Sequence, residues 1–235
     1  MFDDLYAAAF AAADPHPAAD EPPSPQRQAL AFQVVIRTRY YDDYLLAAAA
    51  DGCRQVVVLA AGLDTRAFRL PWPEGTTVFE VDLPDLLVVK EQLLTDVGGQ
   101  PQCERRVVPA DLREDWLSAV VGAGFDPRQP TAWLVEGLLV YLETPDARAL
   151  LTTVSTASAP GSRLSFERSA ATRDLSAADT DAVTSLWRGG AGDDVERWLV
   201  TQGWAVTVDN LGDMAAAYGR APSRPTTSGF VRASR

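Results

Sequence analysis

Histidine and cysteine are scarce in this chain of 235 residues: one histidine, His16, and two cysteines, Cys53 and Cys103. The cysteines lack C-x-x-C spacing and have no histidine beside them, so no metal site is expected, and both read as buried, inert thiols. Long apolar runs are missing as well. None approaches the ~18 residues of a membrane span, and the start, MFDDLYAAAFAAAD, carries acids where a secretory signal carries positive charge. No membrane partner and a cytoplasmic, reducing location are therefore expected. Positive charge is also short, with 21 Lys and Arg against 32 Asp and Glu for a formal net charge of -11. Such a field repels a phosphate backbone, so nucleic acid is not an expected partner.

The chain does have apolar residues in quantity, 47% of the total, enough to bury one sizeable core in a single domain. Residues 1–26 divide into a short alanine-rich helix candidate and the stretch Asp14–Pro25. That stretch holds five prolines and should be loop or extended chain. Together they read as a mobile N-terminal segment ahead of a domain over 27–235. From Gln26 to Ala50 the spacing of Leu30, Val34, Tyr41, Leu45 and Ala48 predicts one or two helices packed on a core, closed by Gly52.

Short β-branched runs then alternate with helical stretches. The runs are QVVVLA (55–60), TTVFEV (76–81), RRVVPA (105–110), TAWLVE (131–136), RLSFE (163–167), WAVTV (204–208) and SGFVRA (228–233). The first five are far enough apart for crossover helices and a parallel sheet. The clearest crossover starts at Thr144-Pro145, a hydroxyl cap before proline, and runs to about Ser158. The last two runs flank Leu211–Tyr218, as for a sheet completed by a late antiparallel strand. The predicted fold is α/β: doubly wound, mostly parallel and seven-stranded.

In such a sheet ligands bind beyond the carboxyl ends of the strands. The first strand ends in Ala60-Ala61-Gly62-Leu63-Asp64, where Gly62 lets a ligand approach the backbone closely. The second ends in Glu80-Val81-Asp82, and Asp82 follows Gly62 by the interval at which an acid reaches the hydroxyls of a nucleotide ribose. Glu80 is expected to point to the other sheet face or the core edge. After the third strand, Asp111 is placed to accept from an adenine amino group while Leu112 covers the ring. The G-x-G-x-x-G of a nicotinamide-binding fold is lacking, which favours S-adenosylmethionine as cofactor.

The runs VVVLAAGLDTRAFRLPWPEGTTVFEVDLPD (56–85), RRVVPADLREDW (105–116), PTAWLVEGLLVYL (130–142) and SAPGSRLSFE (158–167) together resemble the leucine carboxyl methyltransferase family in its bacterial versions. The resemblance extends from about Arg37 to the C-terminus. It implies a class I, Rossmann-like methyltransferase domain over 27–235, with cofactor contacts at Asp82, Asp111 and Leu112 and with Glu136 beside the cofactor. It also implies that an arginine of Arg37-Thr38-Arg39 grips the carboxylate of the cofactor's methionine part, with Arg39 preferred and Arg37 in reserve. Residues 168–200 fall where relatives vary with substrate, and are expected to wall the acceptor pocket. One departure stands out: the family usually reads G-A-G-L-D where this chain has Ala60-Ala61-Gly62-Leu63-Asp64. The methyl group of Ala60 either crowds the cofactor or is accommodated by a negative φ.

Each candidate also has a purely structural reading. Asp82 and Asp111 are able to cap the turns that follow them, Glu136 to pair with an arginine, and Asp64 with Arg66. Arg37 and Arg39 also read as surface charges. Tyr141 is the candidate substrate contact, with core packing as its alternative. No catalytic residue is assigned, because transfer from a sulfonium needs mainly alignment and exclusion of water. A carboxylate arrives ionised, whereas a phenol or alcohol commonly needs a base, most often histidine. The expectation is carboxyl O-methylation of a small-molecule acceptor, such as a polyketide-type natural product. Phenol or alcohol O-methylation, a catalytically silent cofactor-binding scaffold and a nicotinamide oxidoreductase are the alternatives. Nothing in the sequence indicates an oligomeric state.

Overall fold

The computed structural model describes residues 4–12, 25–168, 186–220 and 228–235. A seven-stranded sheet forms its centre: β1 (Gln55–Leu59), β2 (Thr77–Asp82), β3 (Glu104–Pro109), β4 (Thr131–Val135), β5 (Arg163–Arg168), β6 (Ala205–Asn210) and β7 (Gly229–Ser234). The order is β3-β2-β1-β4-β5-β7-β6. The first five strands run parallel, and β7 pairs antiparallel with both β5 and β6. All seven expected strands are present, with ends within two residues of the expected ones.

Helices cover both faces, so β1 and β4 are buried throughout and read as unbroken apolar runs. Alternate residues divide between the two layers. Val57, Leu59, Trp133 and Val135 face α5 (Trp116–Gly122), α6 (Thr144–Thr156) and α7 (Val195–Thr201). Val56, Val58, Ala132 and Leu134 face α1 (Leu5–Ala12), α2 (Pro25–Ala50), α3 (Arg66–Arg69), α4 (Pro84–Asp96) and α8 (Leu211–Ala217).

Helix α2 is one continuous element, and Tyr41, Leu45 and Ala48 are buried in it as expected. Leu30 and Val34 are exposed, because helical spacing identifies a stripe and not how far along it the sheet extends. For α6 the cap is Glu143 rather than Thr144. Helix α1 bears out the helix candidate, and it is docked: Tyr6 packs on Phe68 with ring centroids 5.4 Å apart, and Phe10 is buried. Of the proline-rich stretch, residues 14–24 lie outside the described residues, and Pro25 opens α2 rather than continuing the loop.

Glu80 does not cross to the other sheet face. It stands two residues before Asp82 in one strand, so the two share a side of the pleat. Its carboxylate is buried beneath α4, 2.6 Å from Lys90 Nζ and 2.7 Å from Arg105 Nη2. Cys53 is buried and Cys103 half-buried. Burial pushes both thiols up, Cys103 to about 12, which leaves them unreactive. No helix among the described residues is long and apolar enough to cross a membrane.

Candidate active site

The turn after β1 is built on two residues in the left-handed region, Ala60 at φ +56° and Gly62 at φ +45°. Ala60 is the only non-glycine residue with positive φ among those described, so its methyl group is not accommodated by a negative φ. The turn is pinned to β2. Ala61 N–H donates to Val81 O at 3.1 Å, and Gly62 N–H to Asp82 Oδ2 at 2.7 Å. Asp82 Oδ1 accepts from Leu83 N–H at 2.7 Å, so this carboxylate ties the ends of two neighbouring strands together.

Asp82 and Asp111 stand at one rim of the sheet. Asp82 lies opposite Pro109 in register, Ala110 N–H donates to Asp82 O at 2.9 Å, and Asp111 is the next residue. The side chain of Asp111 pairs with Arg113, at 2.5 Å between Oδ2 and Nη2, and these hydrogen bonds lower its pKa to about 2. Asp111 caps the turn that follows it, as its structural reading had it, by accepting from Arg113 N–H at 2.9 Å, while Asp115 caps α5 by accepting from Ser118 N–H at 3.3 Å. Leu112 packs against the core cluster of the α5 layer.

Next to this rim is a cavity of about 250 Å³, lined by Ala60, Ala61 and Leu63 of the turn, Arg37 and Thr38 of α2, and Glu136 at the end of β4. Its polar wall is a chain of ion pairs. Glu136 accepts from Arg37 Nε at 2.7 Å and from Arg66 Nη1 at 2.7 Å. Arg66 also bonds Asp42 at 2.8 Å and pairs with Asp64, as its spacing suggested. Burial acts to lower the guanidinium pKa, but Asp64, Glu136 and Asp42 outweigh it and hold Arg66 well above its ordinary value. Arg37 reaches beyond Glu136 to Glu167 Oε1 at 3.0 Å, and the Gly137 N–H donates to both Glu167 oxygens at 2.9 and 3.0 Å. Asp4, ahead of α1, closes the far side by accepting from Thr65 Oγ1 at 2.6 Å.

The two arginines face different ways. Two residues apart on a helix, they point about 200° away from each other, so only one can face the strand ends. That one is Arg37. Arg39 pairs with Asp43 at 3.0 Å and lies over the Tyr218 ring at 5.7 Å. Asp43 and Tyr218 line a second cavity of about 470 Å³, to which the loops after β1–β4 contribute nothing. Tyr141 is exposed, in a 3-10 turn over Leu139–Tyr141, and so is not the core residue of its alternative reading. Of the expected substrate wall, 169–185 lies outside the described residues. The part that follows runs beside that turn, with Arg188 N–H on Val140 O at 2.8 Å and Gly190 N–H on Leu142 O at 3.1 Å.

A sheet of this order, with acids at the ends of its second and fourth strands and a left-handed turn after the first, agrees with the comparisons. The sequence profile of the family described as leucine carboxyl methyltransferase matches residues 1–155. The chain belongs to the leucine carboxyl methyltransferase family. The match includes the N-terminal helices, upstream of Arg37 where the recognisable motifs begin. The chain is 45% identical to a "Putative S-adenosyl-L-methionine-dependent methyltransferase" of Frankia alni, covering 100% of this chain and 87% of that one. It is 47% identical to a protein of the same description from Parafrankia sp., covering 87% of this chain and 70% of that one. Among solved structures, magnesium protoporphyrin IX methyltransferase from Synechocystis PCC 6803, with bound S-adenosylhomocysteine, superposes with a TM-score of 0.57. That match is 14% identical and covers 92% of this chain and 90% of that one, and it shows a shared fold. The protein is thus a methyltransferase dependent on S-adenosylmethionine.

Glu167, Asp42, Arg69 and Asp4 are the members of the network that sequence reasoning passed over, and Arg66 was read only as a partner of Asp64. Glu167 was within reach of the rule that found Asp82 and Asp111, since it too is an acid at the carboxyl end of a parallel strand. Asp42 carries no such signal, lying within a helix.

Proposed function

We propose that this family member methylates a carboxyl group of a small-molecule acid, such as a polyketide-type natural product, and that the cavity after β1 and β4 receives the methionine end of its cofactor. The observation that carries the cofactor placement is Arg37, whose guanidinium lines the cavity while its Nε and Nη1 pair with Glu136 and Glu167. A guanidinium has five N–H donors, so Arg37 has donors to spare for the cofactor's own carboxylate.

The remaining residues fit the same group. A Cβ built on Gly62 would meet nothing nearer than Ala60 O at 4.0 Å, so the turn leaves open space. Each oxygen of Asp82 accepts one backbone amide, and a carboxylate has about four acceptor sites, so capacity for two ribose hydroxyls remains. Arg113 is exposed, and an exposed ion pair is weak enough for an adenine amino group to share Asp111. Leu112 supplies an apolar contact for the ring, and Glu136 orients Arg37. S-adenosylmethionine, when bound, supplies an electrophilic methyl group on a sulfonium. The chain holds the acceptor in line and excludes water, a role we assign to Tyr141 and the segment 168–200, within a catalytic domain over 27–235.

A carboxyl acceptor is favoured because the polar groups of the described rim are arginines and carboxylates, and a carboxylate needs no base. Cytoplasmic location fits a free acid as acceptor. Incubation with labelled cofactor and matched aromatic acids and phenols tests the reading: label should appear in base-labile esters, and label found only in ethers would reject it. For the site, Arg37→Ala should weaken S-adenosylhomocysteine binding about tenfold or more, as for loss of a charge-assisted bond. Arg39→Ala should leave binding within about twofold of wild type. Equal effects in a calorimetric titration would refute the placement of Arg37.

A further inference from the structure

We infer that the cavity wall selects the cofactor by charge, and that Glu167 is a specificity-determining residue that favours the cationic sulfonium form over the neutral thioether left after transfer. This rests on the reading that the cavity receives the methionine end of the cofactor.

The charged side chains lining the cavity balance, with Arg37, Arg66 and Arg69 against Asp4, Asp64 and Glu136, but the ion-pair network they belong to does not. Three guanidiniums, those of Arg37, Arg66 and Arg69, are joined through ion pairs to five carboxylates. Four of these belong to Asp4, Asp42, Asp64 and Glu136, and the fifth is Glu167. Among the described residues the network therefore carries two more negative than positive charges. The adjoining buried cluster does not make up the difference, because Lys90 and Arg105 are matched there by Glu80 and Glu91.

Glu167 is one of the two least compensated of the five, with Asp4, whose single pair is to the shared Arg69 at 3.4 Å. Among the described residues the one ion pair of Glu167 is with Arg37, at 3.0 Å, and Arg37 is shared with Glu136 at 2.7 Å. The Gly137 N–H supports the carboxylate by donating to both oxygens, but adds no net charge. With a side chain only 17% exposed, Glu167 is weakly screened, so its field extends through Arg37 into the cavity. Arg37 is neutralised further when it takes up the cofactor's carboxylate, which leaves the excess at Glu167 larger.

Methyl transfer removes the charge that this field attracts. The acceptor oxygen forms a bond to the methyl carbon, the carbon–sulfur bond breaks, and sulfur keeps the electron pair. The sulfonium with its single positive charge becomes an uncharged sulfide. Carboxylate and ammonium groups of the amino-acid end are the same before and after, so the difference in binding reports on charge at sulfur. A network whose surplus negative charge, at Asp42 and Glu167, lies behind the wall holds the reactant form and releases the product form.

The test is calorimetric titration of the full chain with three probes: S-adenosylmethionine, S-adenosylhomocysteine, and an analogue with an ammonium-bearing carbon in place of the sulfonium. Both cations should bind roughly tenfold more tightly than the thioether, and Glu167→Gln should reduce that ratio about three- to tenfold while changing thioether affinity less than about twofold. Glu167→Asp, which keeps the charge, should retain most of the ratio. An unchanged ratio in Glu167→Gln, or equal affinities in the wild type, overturns the inference. Failure of all three probes to bind, or binding unaffected by Arg37→Ala, would overturn instead the placement of the cofactor. Should Glu167→Gln not fold, lowering the pH on the wild type replaces it. Glu167 faces Arg37 and Tyr41 of α2 and Glu136 after β4, and protonating it should lower the ratio of cation to thioether affinity. A ratio constant between about pH 5 and pH 8 would then count against it.

Discussion

Ala60 holds a φ of +56°, in a region where an L-residue brings Cβ against its own backbone at a cost of about 1–2 kcal/mol. The family's usual glycine carries no such cost, although it loses more backbone entropy on folding. Ala60→Gly should therefore stabilise the fold by about 1 kcal/mol, which for a domain of this size is a rise in Tm of about 2–4 °C. Thermal melting checks it, and a lower Tm would mean that packing of the methyl group outweighs the strain. Affinity for S-adenosylhomocysteine should rise with it, since the same turn lines the cavity.

Glu167 brings a pH dependence of known sign. Burial raises its pKa above the ordinary 4.5, with Arg37 opposing and Glu136 reinforcing the shift. A carboxyl group whose pKa is higher in the folded chain binds its proton more readily there. Its contribution to stability is complete below the unfolded value and is lost as pH rises through the folded one. Glu167→Gln imitates the protonated form, so its Tm relative to wild type should increase from about pH 5 to pH 8. A difference that shrinks over this range would show that Arg37 more than repays the burial.

At the scale of elements, α4 is fastened to the sheet by charge as well as by Leu94. Lys90 is wholly buried and bonds Glu80 on β2, two residues before Asp82. Such a pair adds little over apolar packing, but losing one partner strands a buried charge. Lys90→Met should cost about 3–5 kcal/mol in chemical denaturation, reduced only in so far as Arg105 still answers Glu80. The double variant Glu80→Met/Lys90→Met should recover most of that loss. If the double variant is as unstable as the single one, the pair contributes shape that methionines do not reproduce. Because β2 carries Asp82 at its end, the single variant should also weaken cofactor binding.

Over the whole molecule, the cavity brings together Asp4 ahead of α1 and residues from α2, β1 and its turn, α3 and the end of β4, so a ligand there bridges much of the fold. S-adenosylhomocysteine at a hundredfold excess over its Kd should stabilise the protein by about 2.7 kcal/mol. At about 2–4 °C per kcal/mol, that is a rise in Tm of about 5–11 °C. A melting curve indifferent to the ligand would argue that the cavity takes something else.

Strand number, strand order class and the rim acids at 82, 111 and 136 were legible from local signals. Apolar runs spaced for crossovers, with acids directly after them, are one-dimensional patterns that backbone geometry converts directly into a parallel sheet with a ligand edge. That Arg37 rather than Arg39 lines the cavity at the strand ends was not legible, because it depends on how α2 is rotated against the sheet, which packing over Tyr40, Tyr41 and Tyr44 decides. Nor was the sign of φ at Ala60, set by the bonds that pin its turn to β2. The linkage of Asp42, Arg66, Glu136 and Glu167 spans more than a hundred residues of chain, and charges so far apart in sequence become neighbours only when the tertiary fold closes them into one low-dielectric space.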